Sequence, residues 1–319
     1  MYNFTTAPPI GSTENYPISF LAYGDMGISN SQDTATFTAE KIRNGEAQYI
    51  IHAGDISYAD NRAKINNGSI YEGILNDFYN EIQPSSAYAG YMMSSGNHES
   101  ILDFLAFRER VAPTNPTING NEFWYSWNYG PIHHLAFDID QPYTLGTPQY
   151  EFILNDLKSV DRSVTPWVVA YNHFPLLCSN YFWCPDATPF RNVYDPMFNA
   201  PETKVDIFLS GHVHASEVLY PNVNGTVTQY NFENVSNTLQ IMVGFPGDIE
   251  VCCNTWYSPP PNYSYWREGD GYTSNTTFGF TQLTVQNITH VHVEIWSSLN
   301  RTVIQDLWVN RPDPSMIEH

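Results

Sequence analysis

The stretch ISFLAYGDMGISNSQDTATFTAEKIRNGEAQYIIHAGD, Ile18 to Asp55, decides the fold class. ISFLAYGD reads as a buried strand ending in a turn. DTATFTAEKIRNG reads as a helix, with Asp33 near its start and Gly45 past its end. QYIIHAGD is then a second strand that closes on the same Gly-Asp turn. Strand, helix, strand is the unit of an α/β fold, and in open sheets of that kind ligands gather beyond the strand ends.

The pattern continues outward. IYEGILNDFYNEI is helical in character, and YMMSSGNHE is a third strand ending in polar residues. Later, PQYEFILNDLKSV reads as a helix, while WVVAYNH and KVDIFLSGHVH read as strands. Between and after these come the β-rich runs FWYSWNYGPIHHLAFDID, TLQIMVGFP, TFGFTQLTVQ, THVHVEIW and TVIQDLWV. The expected architecture is an α/β sandwich of two mixed β-sheets flanked by helices. There is no internal repeat and no linker of domain scale; SPPPNYS (258–264) reads as a surface loop.

Composition narrows the function classes. With 319 residues, 42% of them apolar, the chain has ample material for a large core. Only 14% of residues are charged, which is not the composition of a disordered chain. Thirteen basic residues stand against 33 acidic ones, for a net charge of −20. A nucleic-acid backbone would require a basic face, so it is excluded as the expected partner. No apolar stretch approaches the length of a membrane-spanning helix.

MYNFTTAPPI has neither the basic start nor the apolar centre of a signal peptide. Sequons nevertheless begin at Asn3, Asn67, Asn224, Asn234, Asn262, Asn275, Asn287 and Asn300, clustered in the last third. Their density leads us to expect an N-glycosylated protein that has lost its natural N-terminus or is a fragment. Cys178 and Cys184 are separated by SNYFW, short enough for a local disulfide. Cys252 and Cys253 are adjacent, and a vicinal disulfide is strained, so free or externally paired thiols are expected there.

Five strand ends carry the polar residues Asp25, Asp55, Asn97 with His98, His173, and His212 with His214. A single Gly-Asp is ordinarily a turn, and a single histidine is ordinarily a core residue. Together they form a mixed oxygen and nitrogen donor set without cysteine, which suits Zn, Mn or Fe at a functional site rather than a structural zinc.

GDMG, GDISY, GNHE, AYNH and GHVH follow the order and spacing of the purple acid phosphatases, within the calcineurin-like metallophosphoesterases. The resemblance runs from about Ile18 to Val309. It implies a metal-dependent acid phosphatase (a phosphoric monoester hydrolase) that attacks its substrate with a metal-bound hydroxide at a binuclear Fe(III)–M(II) centre. Asp25, Tyr58 and His214 would hold the ferric ion. Asn97, His173 and His212 would hold a divalent Zn, Mn or Fe, and Asp55 would bridge the two. His98 would be catalytic, contacting the phosphate or the leaving group. The usual V-x-x-H of the family reads Ala170-Tyr171-Asn172-His173 here.

The resemblance also implies a secreted or lysosomal/vacuolar protein. YNFTTAPP resembles the last strand of a β-sandwich domain that precedes the catalytic domain in longer members. Residues 1–16 are therefore expected to be a leader and 17–319 the catalytic domain. One departure concerns substrate. Plant-type members carry substrate-facing histidines nine or ten residues after the V-x-x-H histidine, and this chain has Phe182 and Trp183 there. Contact on that side must be apolar or come from elsewhere. The alternative is a phosphodiesterase or another metallophosphoesterase. A Ser/Thr protein phosphatase is disfavoured, because GDISYADNR lacks the Asp-Arg-Gly expected after the second Gly-Asp. His52, His133, His134, His290, His292 and His319 carry no pattern of their own, and His133 matches a family histidine of structural role.

Overall fold

Successive residues of most inner strands alternate between two buried faces, and that alternation sets the layers. The computed structural model describes residues 5–61, 70–111, 119–184, 188–247, 250, 256–268 and 278–313. In chain order the strands are β1 (Ile18–Tyr23), β2 (Tyr49–Ala53), β3 (Gly90–Ser94), β4 (Asn119–Gly120), β5 (Tyr125–Tyr129), β6 (Ile132–Ala136), β7 (Trp167–Asn172) and β8 (Ile207–Ser210). They continue with β9 (Ser216–Leu219), β10 (Asn222–Val223), β11 (Thr226–Val227), β12 (Leu239–Val243), β13 (Ser264–Glu268), β14 (Gly279–Val285), β15 (His290–Ser297) and β16 (Thr302–Asn310).

One sheet runs β16-β15-β14-β1-β2-β3 and the other β13-β9-β12-β8-β7-β6-β5-β4. β1, β2 and β3 are mutually parallel, as are β6, β7, β8 and β12; the flanking strands are antiparallel. Phe20 and Ala22 of β1 meet Val169 and Tyr171 of β7 and Leu209 of β8 in the core between the sheets. Leu21 and Tyr23, one residue out of phase, pack outward with Phe37, Ile42 and Phe78 from helices Gln32–Arg43 and Tyr71–Ser86. On the other side Val168, Ala170 and Phe208 pack with Ile153, Leu157, Tyr194 and Phe198 of helices Pro148–Ser159 and Thr188–Asn199. The result is the expected sandwich of two mixed sheets between helices. Burial of each large apolar side chain contributes roughly 1.5–3 kcal/mol, so this packing fixes the strand ends that carry the polar residues.

The helix Thr188–Asn199 is not legible from local sequence signals. Pro189 and Pro196 punctuate it, and proline removes a backbone donor inside a helix. Phe190, Tyr194 and Phe198 recur every four residues and are fully buried, so tertiary packing overrides the local penalty. The stretch 258–264 is loop up to its last residue, where Ser264 opens β13. Near the start of the described chain, Gly11 N–H donates to the Gly130 carbonyl at 2.9 Å, and Tyr16 packs against the core between the sheets.

Cys178 and Cys184 form a disulfide, with Cα atoms 5.7 Å apart. Closing so short a loop stabilises by about 2 kcal/mol in the chain-entropy treatment. Peptide mapping without reduction should recover the two cysteines in one linked species; recovery of both as free thiols would overturn the pairing. Cys252 and Cys253 lie outside the described residues. So do the sequon asparagines Asn3, Asn67 and Asn275, whereas Asn224, Asn234, Asn262, Asn287 and Asn300 are all exposed. Among the described residues no helix is long and apolar enough to cross a membrane.

Candidate active site

The polar strand ends converge on one edge of the sandwich, and their backbone is unusual. Asp25 follows β1, Asp55 and Tyr58 follow β2, and His212 follows β8; their φ angles are 60°, 49°, 53° and 68°. Non-glycine residues enter this left-handed region rarely and at a cost, chiefly where a functional geometry is imposed. The glycines beside them allow the close approach. A Cβ on Gly96 would collide with Asp55 Oδ1, and one on Gly211 with Asp25 Oδ2.

His173, at the end of β7, organises half of the site. Its Nδ1 faces the Ala53 carbonyl at 3.1 Å, an acceptor that fixes the proton on Nδ1. Nε2 then presents a lone pair in the neutral ring. Around Nε2 stand Asp55 Oδ2 at 3.0 Å, Asn97 Oδ1 at 3.1 Å and His212 Nδ1 at 3.2 Å. Four lone-pair atoms face one another, and one proton cannot satisfy them. This is the donor set of a cation site, and the mixed imidazole, carboxylate and amide oxygen ligands suit Zn, Mn or Fe. Asp55, His173 and His212 present ligand atoms that all lie within 4.8 Å of one another.

A second centre lies alongside. Tyr58 Oη is 2.8 Å from His214 Nε2 and 3.2 Å from Asp25 Oδ1, and His214 Nε2 is 3.5 Å from the same carboxylate oxygen. Asp25 Oδ1 is also 4.0 Å from His173 Nε2, so the two groups adjoin. Asp25 further accepts the His212 backbone N–H, at 2.8 Å on Oδ2. The structure thus brings together Asp25, Asp55, Tyr58, Asn97, His98, His173, His212 and His214.

The buried groups of the site shift one another in opposite directions. Burial works against a charged His173, but Asp55 and Asp25 prevail and hold its pKa up at about 9. Burial and the neighbouring His173 hold His212 well below the ordinary histidine value. Burial raises Asp25 above the usual carboxylate range. At Asp55 burial is outweighed by His173 and His98, which keep the carboxyl below that range.

His98 projects from the Asn97–Glu99 turn, which follows β3. Its ring lies over Tyr58 with centroids 4.4 Å apart. Nδ1 is 2.7 Å from Asp60 Oδ1, and Nε2 is 3.7 Å from Asp55 Oδ2 and 3.6 Å from Glu250 Oε1. Burial opposes the charged ring, but Asp55, Asp60 and Glu250 raise its pKa to about 11. In return Glu250, paired with the His98 ring and hydrogen-bonded by Asn61, is drawn down to about 2 despite partial burial.

Three acidic residues of the site escaped the sequence reading. Asp60 lies two residues beyond Tyr58 in the chain, and nothing local marked it as a partner of His98. Glu250 is distant in sequence and gave no signal. Glu99 ends the GNHE motif, and its carboxylate accepts N–H groups from Asp55, Ile56 and Gly96, each at 2.9 Å. It ties the β2 and β3 loops together. Burial and the Asp55 charge push it up to about 8, against the pull of those donors.

The remaining histidines serve the framework. His52 Nδ1 contacts Tyr91 Oη at 3.0 Å, His134 contacts Tyr49 Oη at 2.9 Å, and His133 bridges Asn128 and Asp156 at 2.7 and 2.8 Å. His292 sits between Glu294 and Asp306, and His290 meets Thr289. His319 lies outside the described residues.

A sandwich of two mixed sheets with this donor set beyond the parallel strands is the arrangement of a metal-dependent phosphoesterase. The family model for calcineurin-like phosphoesterase matches residues 18–216, more than half of the chain, and the chain belongs to that family. The model for iron/zinc purple acid phosphatase-like protein C matches residues 237–306. Purple acid phosphatase 5 of Arabidopsis thaliana is 28% identical over 295 residues, covering 90% of this chain and 65% of the relative. Fe(3+)-Zn(2+) purple acid phosphatase 12 of the same plant is 26% identical over 302 residues, covering 89% of this chain and 60% of the relative. The structure of a purple acid phosphatase from yellow lupin (Lupinus luteus) seeds has the same fold, with a TM-score of 0.80 at 23% identity, over 97% of this chain and 56% of that one. This chain therefore spans less than two thirds of the length of these relatives.

Proposed function

We propose that the chain hydrolyses phosphate monoesters at a two-metal centre. Asp25, Tyr58 and His214 would hold a ferric ion, Asn97, His173 and His212 a divalent Zn, Mn or Fe, and Asp55 both. The observation that carries this reading is the convergence of lone pairs on two adjoining points, around His173 Nε2 and around Tyr58 Oη. The relative named as an Fe(3+)-Zn(2+) enzyme supports the choice of metals. When bound, the pair of cations would clamp a phosphate and supply an activated water.

The chain's own residues do the rest. Glu99 holds the β2 and β3 loops in register, so that Asp55 and Asn97 face the same point. His98, ringed by Asp55, Asp60 and Glu250, stands where a positive ring can bind phosphate oxygens or give a proton to the leaving oxygen. The five exposed sequon asparagines and the disulfide support a glycosylated protein of a secretory compartment. Residues 17–319 would form the catalytic unit.

Metal analysis with hydrolysis of a chromogenic monoester and diester, each at pH 5 and pH 7, tests the reading. Monoester hydrolysis greater at pH 5, with iron present, is expected. A preference for the diester would favour the phosphodiesterase alternative.

Tyr58 offers a spectroscopic check. A trivalent cation lowers the phenol pKa enough to bind it ionised, and tyrosinate-to-iron charge transfer should colour the oxidised protein pink to purple. Tyr58→Phe should bleach the visible band while the far-UV circular dichroism stays unchanged. An iron-loaded wild type without the band, or a coloured Phe variant, would remove Tyr58 from the iron.

A further inference from the structure

Resting on the phosphatase reading above, we infer that the phosphomonoesters this site takes best are aryl esters, and that Phe182 and Trp183 form the surface on which the ring of the leaving group stacks. The short chain closed by Cys178 and Cys184 delivers Tyr181, Phe182 and Trp183 in succession. The Trp183 ring stands edge-on to His212, with centroids 5.0 Å apart. Phe174 packs on the same imidazole at 4.3 Å. Phe182 lies 5.0 Å from Trp183 and is 59% exposed. Tyr181, also exposed, pairs with Tyr257 at 5.7 Å.

A lone exposed aromatic is ordinary on a protein surface. A contiguous group fixed beside a proposed metal ligand is not. The loop is held by the disulfide and by Asn180, whose Oδ1 accepts the backbone N–H groups of Phe182 and Trp183, each at 3.0 Å. Trp183 is packed against Cys178, Cys184, Val213, Ala215 and Met242. Rings ordered in advance lose little entropy when a planar ligand stacks on them. Position selects the ligand class. Trp183 touches His212 itself, so the stacked ring must lie directly beside the phosphate, as it does when the ester oxygen is phenolic. A nucleotide base, held away by its sugar, would pass beyond this surface.

Aryl esters also react faster because phenols are better leaving groups, so binding of stable phosphonates is the cleaner measurement. Calorimetry on the metal-loaded protein should find phenylphosphonate bound about tenfold more tightly than methylphosphonate, a difference of roughly 1.4 kcal/mol. Trp183→Leu and Phe182→Ala should each bring the two affinities together. Phe182→Ala alters an exposed side chain and guards against a misfolded loop in the Trp183 variant. Turnover of O-phosphotyrosine, free and within a peptide, against O-phosphoserine tells small aryl phosphates from phosphotyrosyl chains as the source. A fall in the tyrosine-to-serine ratio of kcat/KM in the variants, for either form, supports the inference. Equal phosphonate affinities in the wild type, or a preference that survives both substitutions, overturns it. A phenylphosphonate preference without hydrolysis of any monoester would instead overturn the phosphatase reading and leave the stacking surface standing.

Discussion

Asp55→Asn should lower turnover by roughly 10³-fold or more, on the scale of several kcal/mol of transition-state stabilisation from paired cations, and should reduce the occupancy of both metals. The substitution keeps the volume of a side chain that is 1% exposed, so packing is not the cause. Asp55 Oδ1 accepts the His98 backbone N–H at 2.9 Å, and Oδ2 lies 3.0 Å from His173 Nε2. An Asn amide can keep the first contact through its carbonyl only by turning its NH₂ toward His173. That places a donor where a cation needs a lone pair. The carboxylate would also supply negative charge to offset the two proposed cations in a buried site, and the amide supplies none. Elemental analysis of the purified variant beside its kcat checks both halves. Loss of only one metal, or turnover near that of wild type, would remove Asp55 from the shared position.

The fold and most of the site are legible in the sequence for one reason: β1, β2, β3 and β8 are short apolar runs that stop at a Gly-polar step, and β7 stops at His173. ISFLAY, YIIHA and WVVAYN are buried on both faces, so they read as continuous apolar segments. Once the strands are located, Asp25, Asp55, Asn97, His173 and His212 fall at their ends without further assumption. What escaped depends on long-range contacts. Glu250 reaches His98 across a sequence separation that no periodicity encodes. Glu99 is visible in its motif, but its three N–H donors come from two loops, and only the folded chain joins them. The helix Thr188–Asn199 was hidden by its prolines and revealed by the burial of Phe190, Tyr194 and Phe198. Trp183 was legible as a departure from its family's histidines; its contact with His212 was not.

His98→Ala should lower turnover by ~10²–10⁴-fold, the usual range for losing a positioned acid or base, while both metals stay at wild-type occupancy. His98 is adjacent in sequence to Asn97, yet its ring lies against Tyr58 and meets the His173 group only at Asp55 Oδ2. Its nitrogens face Asp60 at 2.7 Å, Glu250 at 3.6 Å and Asp55 at 3.7 Å. Three carboxylates around one imidazole hold a positive charge at the wall of the site, and at 10% side-chain exposure little water screens it. A phosphate oxygen entering beside Asp55 would exchange repulsion from that carboxylate for attraction to the ring. Alanine removes the attraction and leaves the carboxylates behind, so the loss should appear in kcat/KM for a monoester and in weaker binding of inorganic phosphate. The competing role is structural, because the ring also lies over Tyr58 with centroids 4.4 Å apart. Asp60→Asn separates the two. It leaves the ring in place over Tyr58 and removes one of the charges that orient it, so turnover should fall with colour and metal content unchanged. If His98→Ala instead loses iron or its visible band, the ring is a support for Tyr58, and its assignment to substrate is wrong.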